Sequence, residues 1–374
     1  MADSPKSLAV HQLVAGFARG DAISQEAVIL RDLCRGMGMT SDIFAPADRV
    51  TADAADECHS LELLRDKPAD ILIGHYATTS PFEDVWLNSA ARKVLLYHNI
   101  TPAEYFVPFD AVLAAQLRVA RERLPSILRR VDAVWAVSEF NAAELRQAGA
   151  GIVRVFPLIF DSRRLDISPA PTCRGLQPDM TNILYVGRIA PNKCIEELIA
   201  AFACYHRSIN ARSRLAIVGS ERAAPAYFMM LRLYAAELGL EAVCFERYVL
   251  PEELPAYYSA ANLYVCTSRH EGYCLPLIEA MYKGVPVIAR NVGGMPEALG
   301  GAGVLFDDLS ATGLAALFDR VLSDGALRAE VLAAQRARIE TIMRRPAIDE
   351  LRILLEEVLA NPRPANGNHK EVTS

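Results

Sequence analysis

Short, mostly apolar runs punctuate the chain at 8–14, 43–45, 71–75, 93–98, 133–137 and 153–156. Between them lie longer stretches whose apolar residues recur at helical spacing. From residue 24 to 34, Ala27, Leu30, Leu33 and Cys34 share one helix face, with Ser24 and Gln25–Glu26 as its expected start. The same alternation resumes at 182–187, 215–219, 243–245, 263–267 and 285–289. Here the helix faces include Ile195, Leu198, Ile199 and Phe202, and a Met/Leu stripe at 229–238 that reads as core. Strand, helix, strand in this rhythm predicts parallel sheets with crossover helices, an α/β chain.

The rhythm breaks once. From Pro157 to Pro178 no period survives, which predicts a connection between two such units. The length agrees: 374 residues exceed the roughly 250–300 that one hydrophobic core serves. The expected division is a first domain at 1–160, a linker at 161–181 and a second domain at 182–340, with a last helix at 341–360 and a disordered tail at 361–374.

Composition narrows the class. With 52% hydrophobic and 22% charged residues the chain is globular, and a net charge of -6 argues against a nucleic-acid binder. Eight cysteines without paired zinc spacing, and an N-terminus without a secretory pattern, predict reduced thiols in a cytoplasm. No run approaches the ~20 apolar residues that span a bilayer. The segment 113–130 is basic and amphipathic, with Arg118, Arg121 and Arg123 beside Leu113, Leu117, Ala120 and Leu124. It reads either as a membrane-surface helix or, more simply, as a helix packing its apolar face on the sheet.

Chemistry concentrates at 270–284, HEGYCLPLIEAMYKG. Pro276 suits the first position of a helix and Gly284 its left-handed stop. Glu271 then lies in the preceding loop and Glu279 about one turn inside. Between them the N–H groups of Gly272, Tyr273, Cys274 and Leu275 form a site for phosphate. A phosphate flanked by two hydroxyl-binding carboxylates is what a sugar nucleotide requires. In GRIAPNK, Arg188 and Lys193 flank a strand-to-helix turn, where a guanidinium and an ammonium can neutralise a diphosphate leaving group. His98, and less clearly His75, fall at strand ends, where open α/β sheets place ligand groups. Gly20 and Asp21 follow the first strand in a loop that departs from G-x-G-x-x-G.

HEGYCLPLIEAMYKG resembles the E-x7-E signature of the retaining glycosyltransferases of family 4, which have the GT-B fold, and GRIAPNK resembles their G-R-x-x-x-x-K element. The resemblance implies two Rossmann-like domains facing across a cleft, the second binding the donor nucleotide and a final helix crossing back to the first. It implies that Glu271 binds hydroxyls of the donor sugar, Glu279 the ribose, and Arg188 and Lys193 the donor phosphates. It places His98 beside the sugar and raises Gly20 and Asp21 to candidates across the cleft. Tyr248 and the segment at 251–261 suit the loop and helix near the nucleotide base. The departures are Cys274, where relatives often have Gly, and a first loop without the usual Gly-Gly pair.

The implied activity is metal-independent, retaining transfer of a hexose from a nucleotide diphosphate sugar, with no resident cofactor, to a glycan or lipid-linked glycan. VHQLVAGFARGDAIS with YHNITP looks most like bacterial lipopolysaccharide and exopolysaccharide enzymes, with GDP-mannose favoured over UDP-glucose. A lipid-linked acceptor would bring the protein to the inner face of the cytoplasmic membrane; the oligomeric state is not implied. The rivals are a catalytically silent nucleotide-sugar scaffold, an epimerase of the same architecture and an NAD-dependent oxidoreductase. The last is disfavoured because G-x-G-x-x-G and its distal acidic residue are missing.

Overall fold

The computed structural model of the chain describes residues 8–167, 176–247, 249–250 and 252–361. Its first half comprises β1 (Val10–Leu13), α1 (Ala22–Gly36), β2 (Ile43–Ala45), β3 (His59–Ser60), β4 (Ile71–Tyr76), α2 (Phe82–Asn88), β5 (Arg92–Tyr97), α3 (Ala111–Leu128), β6 (Ala133–Ala136), α4 (Glu139–Gln147) and β7 (Arg154–Val155). The second half begins with β8 (Thr181–Val186), α5 (Ile195–Ser208), β9 (Ser213–Val218), α6 (Pro225–Glu237), β10 (Val243–Glu246), α7 (Leu254–Ala260) and β11 (Leu263–Cys266). It continues through α8 (Leu275–Tyr282), β12 (Val287–Arg290), α9 (Met295–Leu299), β13 (Val304–Phe306), α10 (Ala311–Ser323), α11 (Gly325–Met343) and α12 (Ala347–Ala360).

Among the described residues these strands form two sheets, seven strands ordered β3-β2-β1-β4-β5-β6-β7 and six ordered β10-β9-β8-β11-β12-β13. Every pairing is parallel. Parallel strands are covered on both faces, which is why β4 reads ILIGHY with all six residues buried. In each sheet the order reverses beside the first strand, between β1 and β4 and between β8 and β11. Ligand crevices of open α/β sheets form at such points, outside the strands' C-terminal ends.

Two connections tie the halves together. The first runs through Pro157–Phe160, where the Ile159 N–H donates to Glu26 of α1 at 3.1 Å. The second runs back between α11 and α12, where the Arg345 guanidinium donates to the Pro157 carbonyl at 2.6 Å and lies over the Phe156 ring. α12 rests on the first sheet: Arg92 donates to the Val358 carbonyl at 2.7 Å, and Arg154 makes a bidentate pair with Glu357.

Several boundaries differ from the sequence reading. α1 starts at Ala22 because the Asp21 carboxylate, and not Ser24, caps it; the Ser24 N–H and hydroxyl both donate to Asp21 Oδ2 at 2.9 Å. The linker expected to end at 181 ends earlier, since Thr181 already pairs within β8; residues 168–175 lie outside the described residues. The last helix begins at Ala347, not 341, because α11 runs to Met343 and Pro346 precedes the restart. Of the tail expected at 361–374, only Asn361 is described. α3 buries Ala114, Leu117, Ala120, Leu124 and Ile127, while Arg121 pairs with Glu144 and Arg123 with Glu83. Its apolar face and two of its three arginines are thus engaged within the protein. Among the described residues no helix is long and apolar enough to cross a membrane.

Candidate functional site

The two switch points face each other across a cleft of about 520 Å3. On the second-domain side, β8 leads into a turn ending at Lys193 and β11 into the loop carrying Glu271. The turn and loop are laced together. Asn192 donates to the His270 carbonyl at 3.0 Å, the Arg269 N–H to the Asn192 carbonyl at 2.9 Å, and the Thr267 hydroxyl to the Lys193 carbonyl at 3.1 Å. This scaffold sets Lys193 Nζ 2.5 Å from Glu271 Oε1, which also accepts from the Ser268 hydroxyl at 2.8 Å. Burial by itself would raise the Glu271 pKa. The Lys193 charge and hydrogen bond, with Ser268 and Arg188, outweigh it and hold the carboxyl below its ordinary value.

The backbone of this loop is seated on the Gly293–Gly294 pair. Gly294 N–H donates to the Glu271 carbonyl at 3.0 Å, and a Cβ on Gly294 would fall 2.1 Å from the Gly272 carbonyl oxygen. α8 then starts after Cys274, which is left-handed at φ +76°, and no side chain caps the helix. Pro276 has no N–H and the Leu277 N–H donates to the Cys274 carbonyl at 3.2 Å, so the Leu275 N–H, in the cleft lining, is the one a ligand can satisfy. Glu279 sits one turn inside α8 and accepts from the Tyr258 hydroxyl at 2.7 Å. Burial raises its pKa despite that bond and the Arg164 charge. Arg188 is exposed at the cleft, and its guanidinium has no hydrogen-bond partner among the described residues.

The first-domain wall is built by the loop after β1 and the ends of β4 and β5. Gly20 turns the loop at φ +81°, and Asp21 is the α1 cap with one carboxylate oxygen committed. His98 follows β5. Its Nε2 lies 2.9 Å from His75 Nδ1, whose Nε2 lies 3.0 Å from Gln12 Oε1, and the two imidazoles stack at 13°. Burial pushes the His98 pKa down to about 4 against the pull of Asp21, and drives His75 well below the ordinary value. Both rings are neutral at pH 7. With the Gln12 carbonyl accepting, His75 carries its proton on Nε2 and accepts at Nδ1 from His98 Nε2–H, which leaves His98 Nδ1 as an acceptor.

The halves touch here: a Cβ on Gly272 would lie 2.6 Å from the His98 carbonyl oxygen. Nearby, the Glu139 N–H at the start of α4 donates to Glu297 of α9 at 2.7 Å.

Glu271, Glu279, Arg188, Lys193, His98, Gly20, Asp21 and the 272–275 backbone all line this one cleft. Sequence reasoning missed Gln12, Ser268 and Tyr258, since single polar residues in or beside apolar runs carry no spacing signal. It also missed that Cys266, Glu271 and Cys274 converge. Tyr248 lies outside the described residues.

Residues 174–338 match the family model described as glycosyl transferases group 1. That stretch is a group 1 glycosyltransferase domain. The chain is similar to the O-antigen chain mannosyltransferase B of Escherichia coli, 26% identical over 82% of this chain and 85% of that one. It is also similar to a GDP-mannose-dependent alpha-(1-6)-phosphatidylinositol monomannoside mannosyltransferase of Mycobacterium tuberculosis (strain ATCC 25618 / H37Rv). Identity there is 28%, covering 79% of this chain and 83% of the relative. Among solved structures, sucrose-phosphate synthase from Thermosynechococcus elongatus superposes with a TM-score of 0.71 at 22% identity, covering 94% of this chain and 99% of that one. The fold of the chain is GT-B.

Proposed function

We propose that the protein transfers a hexose, mannose in the favoured reading, from a nucleotide diphosphate sugar to a hydroxyl of a glycan or lipid-linked glycan in cell-surface polysaccharide assembly. The reading rests on one observation above all. A guanidinium without a partner among the described residues, an ammonium and a helix N-terminus without a side-chain cap surround a fixed carboxylate at the second domain's switch point. Cations and N–H groups suit a diphosphate, and a carboxylate held ionised suits sugar hydroxyls. Both mannosyltransferase relatives support mannose, and the GDP-mannose-dependent one supports GDP.

In the proposed reaction the bond from the anomeric carbon to the diphosphate oxygen breaks as the acceptor hydroxyl oxygen bonds to the same face. Its proton passes to the departing phosphate, so the anomeric configuration is retained. Arg188, Lys193 and the Leu275 N–H at the start of α8 stabilise the charge that grows on that phosphate. Glu271 orients the sugar through its hydroxyls, Glu279 holds the ribose, and His98 Nδ1 accepts from a hydroxyl across the cleft. The cationic side chains do the neutralising that a divalent ion does elsewhere, so the reaction proceeds without one. An acceptor on a lipid carrier would bring the first domain to the inner membrane face. There the exposed Val112 and Val119 and the exposed Arg118 of α3 would be the contact surface.

The test is thermal stabilisation by a panel of nucleotides and nucleotide sugars in the presence of a chelator. GDP and GDP-mannose are expected to raise Tm. A response confined to UDP compounds would replace the sugar, and no response to any nucleotide would favour the silent scaffold. Turnover of GDP-mannose with a lipid-linked acceptor, with the product anomer read by NMR, tests transfer itself. Glu271→Ala is expected to abolish it with the fold intact; unchanged turnover would sink the site assignment.

A further inference from the structure

Two thiols meet at the floor of the cleft. Cys266 ends β11 and is buried, while Cys274, half-buried, opens α8; both are free. Their sulfurs and a carboxylate oxygen of Glu271 all lie within 4.8 Å of one another. Two sulfurs and a carboxylate resemble a donor set for a soft divalent cation. The local field opposes a cation, because Lys193 Nζ sits 2.5 Å from that same carboxylate and Arg188 adds a second positive charge nearby. Cationic surroundings at a helix N-terminus instead favour thiolate, the reactive form of cysteine. The Cys266 thiol donates to the Ser268 hydroxyl at 3.3 Å; the interaction with Cys274 holds the Cys266 thiol below its ordinary pKa, against burial and the Glu271 charge, and pushes that of Cys274 well up.

We propose that Cys266 and Cys274 are an oxidation site, which a peroxide converts to a disulfide that closes the donor end of the cleft. The closing effect rests on the reading of that end as the donor site; the chemistry of the pair does not. One thiolate attacks a peroxide oxygen, the O–O bond breaks, and a sulfenic acid forms with release of one water after protonation. The second sulfur displaces the sulfenic oxygen, which leaves as another water. The two thiols lose two electrons and two protons, and hydrogen peroxide is reduced to two waters. A dithiol reverses the change by exchange.

The geometric consequence follows from the position of the pair. A disulfide draws its sulfurs to about 2.05 Å. The segment between them carries Ser268, Glu271 and Gly272, and Cys274 itself sets the first turn of α8. Its backbone has no slack, since Gly293 and Gly294 press against the Glu271 and Gly272 carbonyls. Shortening the sulfur separation therefore rotates Cys274 and displaces the phosphate-facing Leu275 N–H and Glu271 together.

The experiment treats the full-length chain with hydrogen peroxide, maps disulfides by mass spectrometry of a non-reduced digest, and measures transfer and stabilisation by GDP-mannose before and after dithiothreitol. The expected result is a peptide joining Cys266 to Cys274. It is accompanied by a loss of roughly a hundredfold in kcat/KM, as for a misplacement of about 1 Å, that dithiothreitol restores. Cys266→Ala and Cys266→Ser, either of which suffices if the other folds poorly, are expected to keep basal transfer and to resist peroxide. Absence of the joined peptide, or equal peroxide inactivation of both variants, overturns the proposal. Inhibition by zinc ions that needs Cys266, with no peroxide effect, overturns it in favour of a cation site. A joined peptide with no change in donor stabilisation upholds the oxidation site and refutes the donor reading of the cleft.

Discussion

Glu271 and Glu279 share one short chain segment, yet their environments push them in opposite directions. Lys193 and Ser268 hold Glu271 ionised, whereas burial beside Tyr258 raises Glu279. For Glu271 the folded pKa is below the unfolded one. Its contribution to stability is therefore present above the unfolded value of 4.5 and is lost as pH falls through the folded value. Lys193→Ala leaves this buried carboxylate without its cation. The expected cost is about 3 kcal/mol in urea unfolding at pH 7, with kcat lower by roughly a hundredfold or more. A variant with wild-type stability would show that the pair is solvated in solution. His75 acts one step removed. His75→Phe keeps a ring against His98 but removes both hydrogen bonds and strands the Gln12 carbonyl. A fall of roughly tenfold in kcat at unchanged donor KM is expected, along with a change of His98 tautomer visible in 15N imidazole shifts. A change in KM alone would make His75 a packing residue.

At the scale of elements, the strand–turn–helix units bring these residues to the cleft. β8 and β11 are adjacent, so the turn at 187–193 and the loop at 267–274 share one sheet edge. The Gly293–Gly294 turn before α9 forms the seat beneath them. Gly294→Ala would set a Cβ 2.1 Å from the Gly272 carbonyl, and backbone cannot yield as a side-chain tip does. Displacement of the Glu271 loop by about 1 Å is expected to lower kcat/KM roughly a hundredfold while the far-UV circular dichroism is unchanged. Wild-type kinetics in that variant would mean that the loop has slack. The α1 start shows the limit of local signals: Ser24 and Asp21 are both good caps, and the chain's approach from the Gly20 turn selected Asp21.

At the scale of the molecule, the two connections between domains converge on one buried carboxyl. Glu26 of α1 accepts the Ile159 N–H, and its Oε1 is buried with no partner among the described residues; burial pushes its pKa up to about 8 against Ile159 and Arg345. Between 4.5 and 8 the folded protein keeps a proton that the unfolded chain has released. Stability therefore falls as pH rises through that window. His98 and His270, both lowered to about 4 from 6.5, act on the other limb. The unfolded chain takes up their protons first, so stability is also lost as pH falls from 6.5 toward 4. Glu26→Gln is expected to match wild type in Tm near pH 5 and to exceed it at pH 9, flattening the alkaline limb only. A parallel shift at both pH values would remove Glu26 as the source.

The sequence by itself determined the two α/β units and, to within a residue or two, eleven of the thirteen described strands; the edge strands β3 (His59–Ser60) and β13 (Val304–Phe306) were missed. It also marked the segments at 188–193 and 271–279, which bring the candidate cations and carboxylates into one cleft. These are local facts: a strand covered on both faces must be apolar at consecutive positions, and a turn that starts a helix shows its Pro, Gly and charged residues side by side. Only the tertiary structure decided that Lys193 meets Glu271 across 78 residues of chain, that Gln12 and His75 stand behind His98, and that Cys266 reaches Cys274. Partners of that kind are set by strand order and by the approach of one domain to the other. Neither property leaves a period in the chain, because each side chain has to match a neighbour in space and none along the sequence.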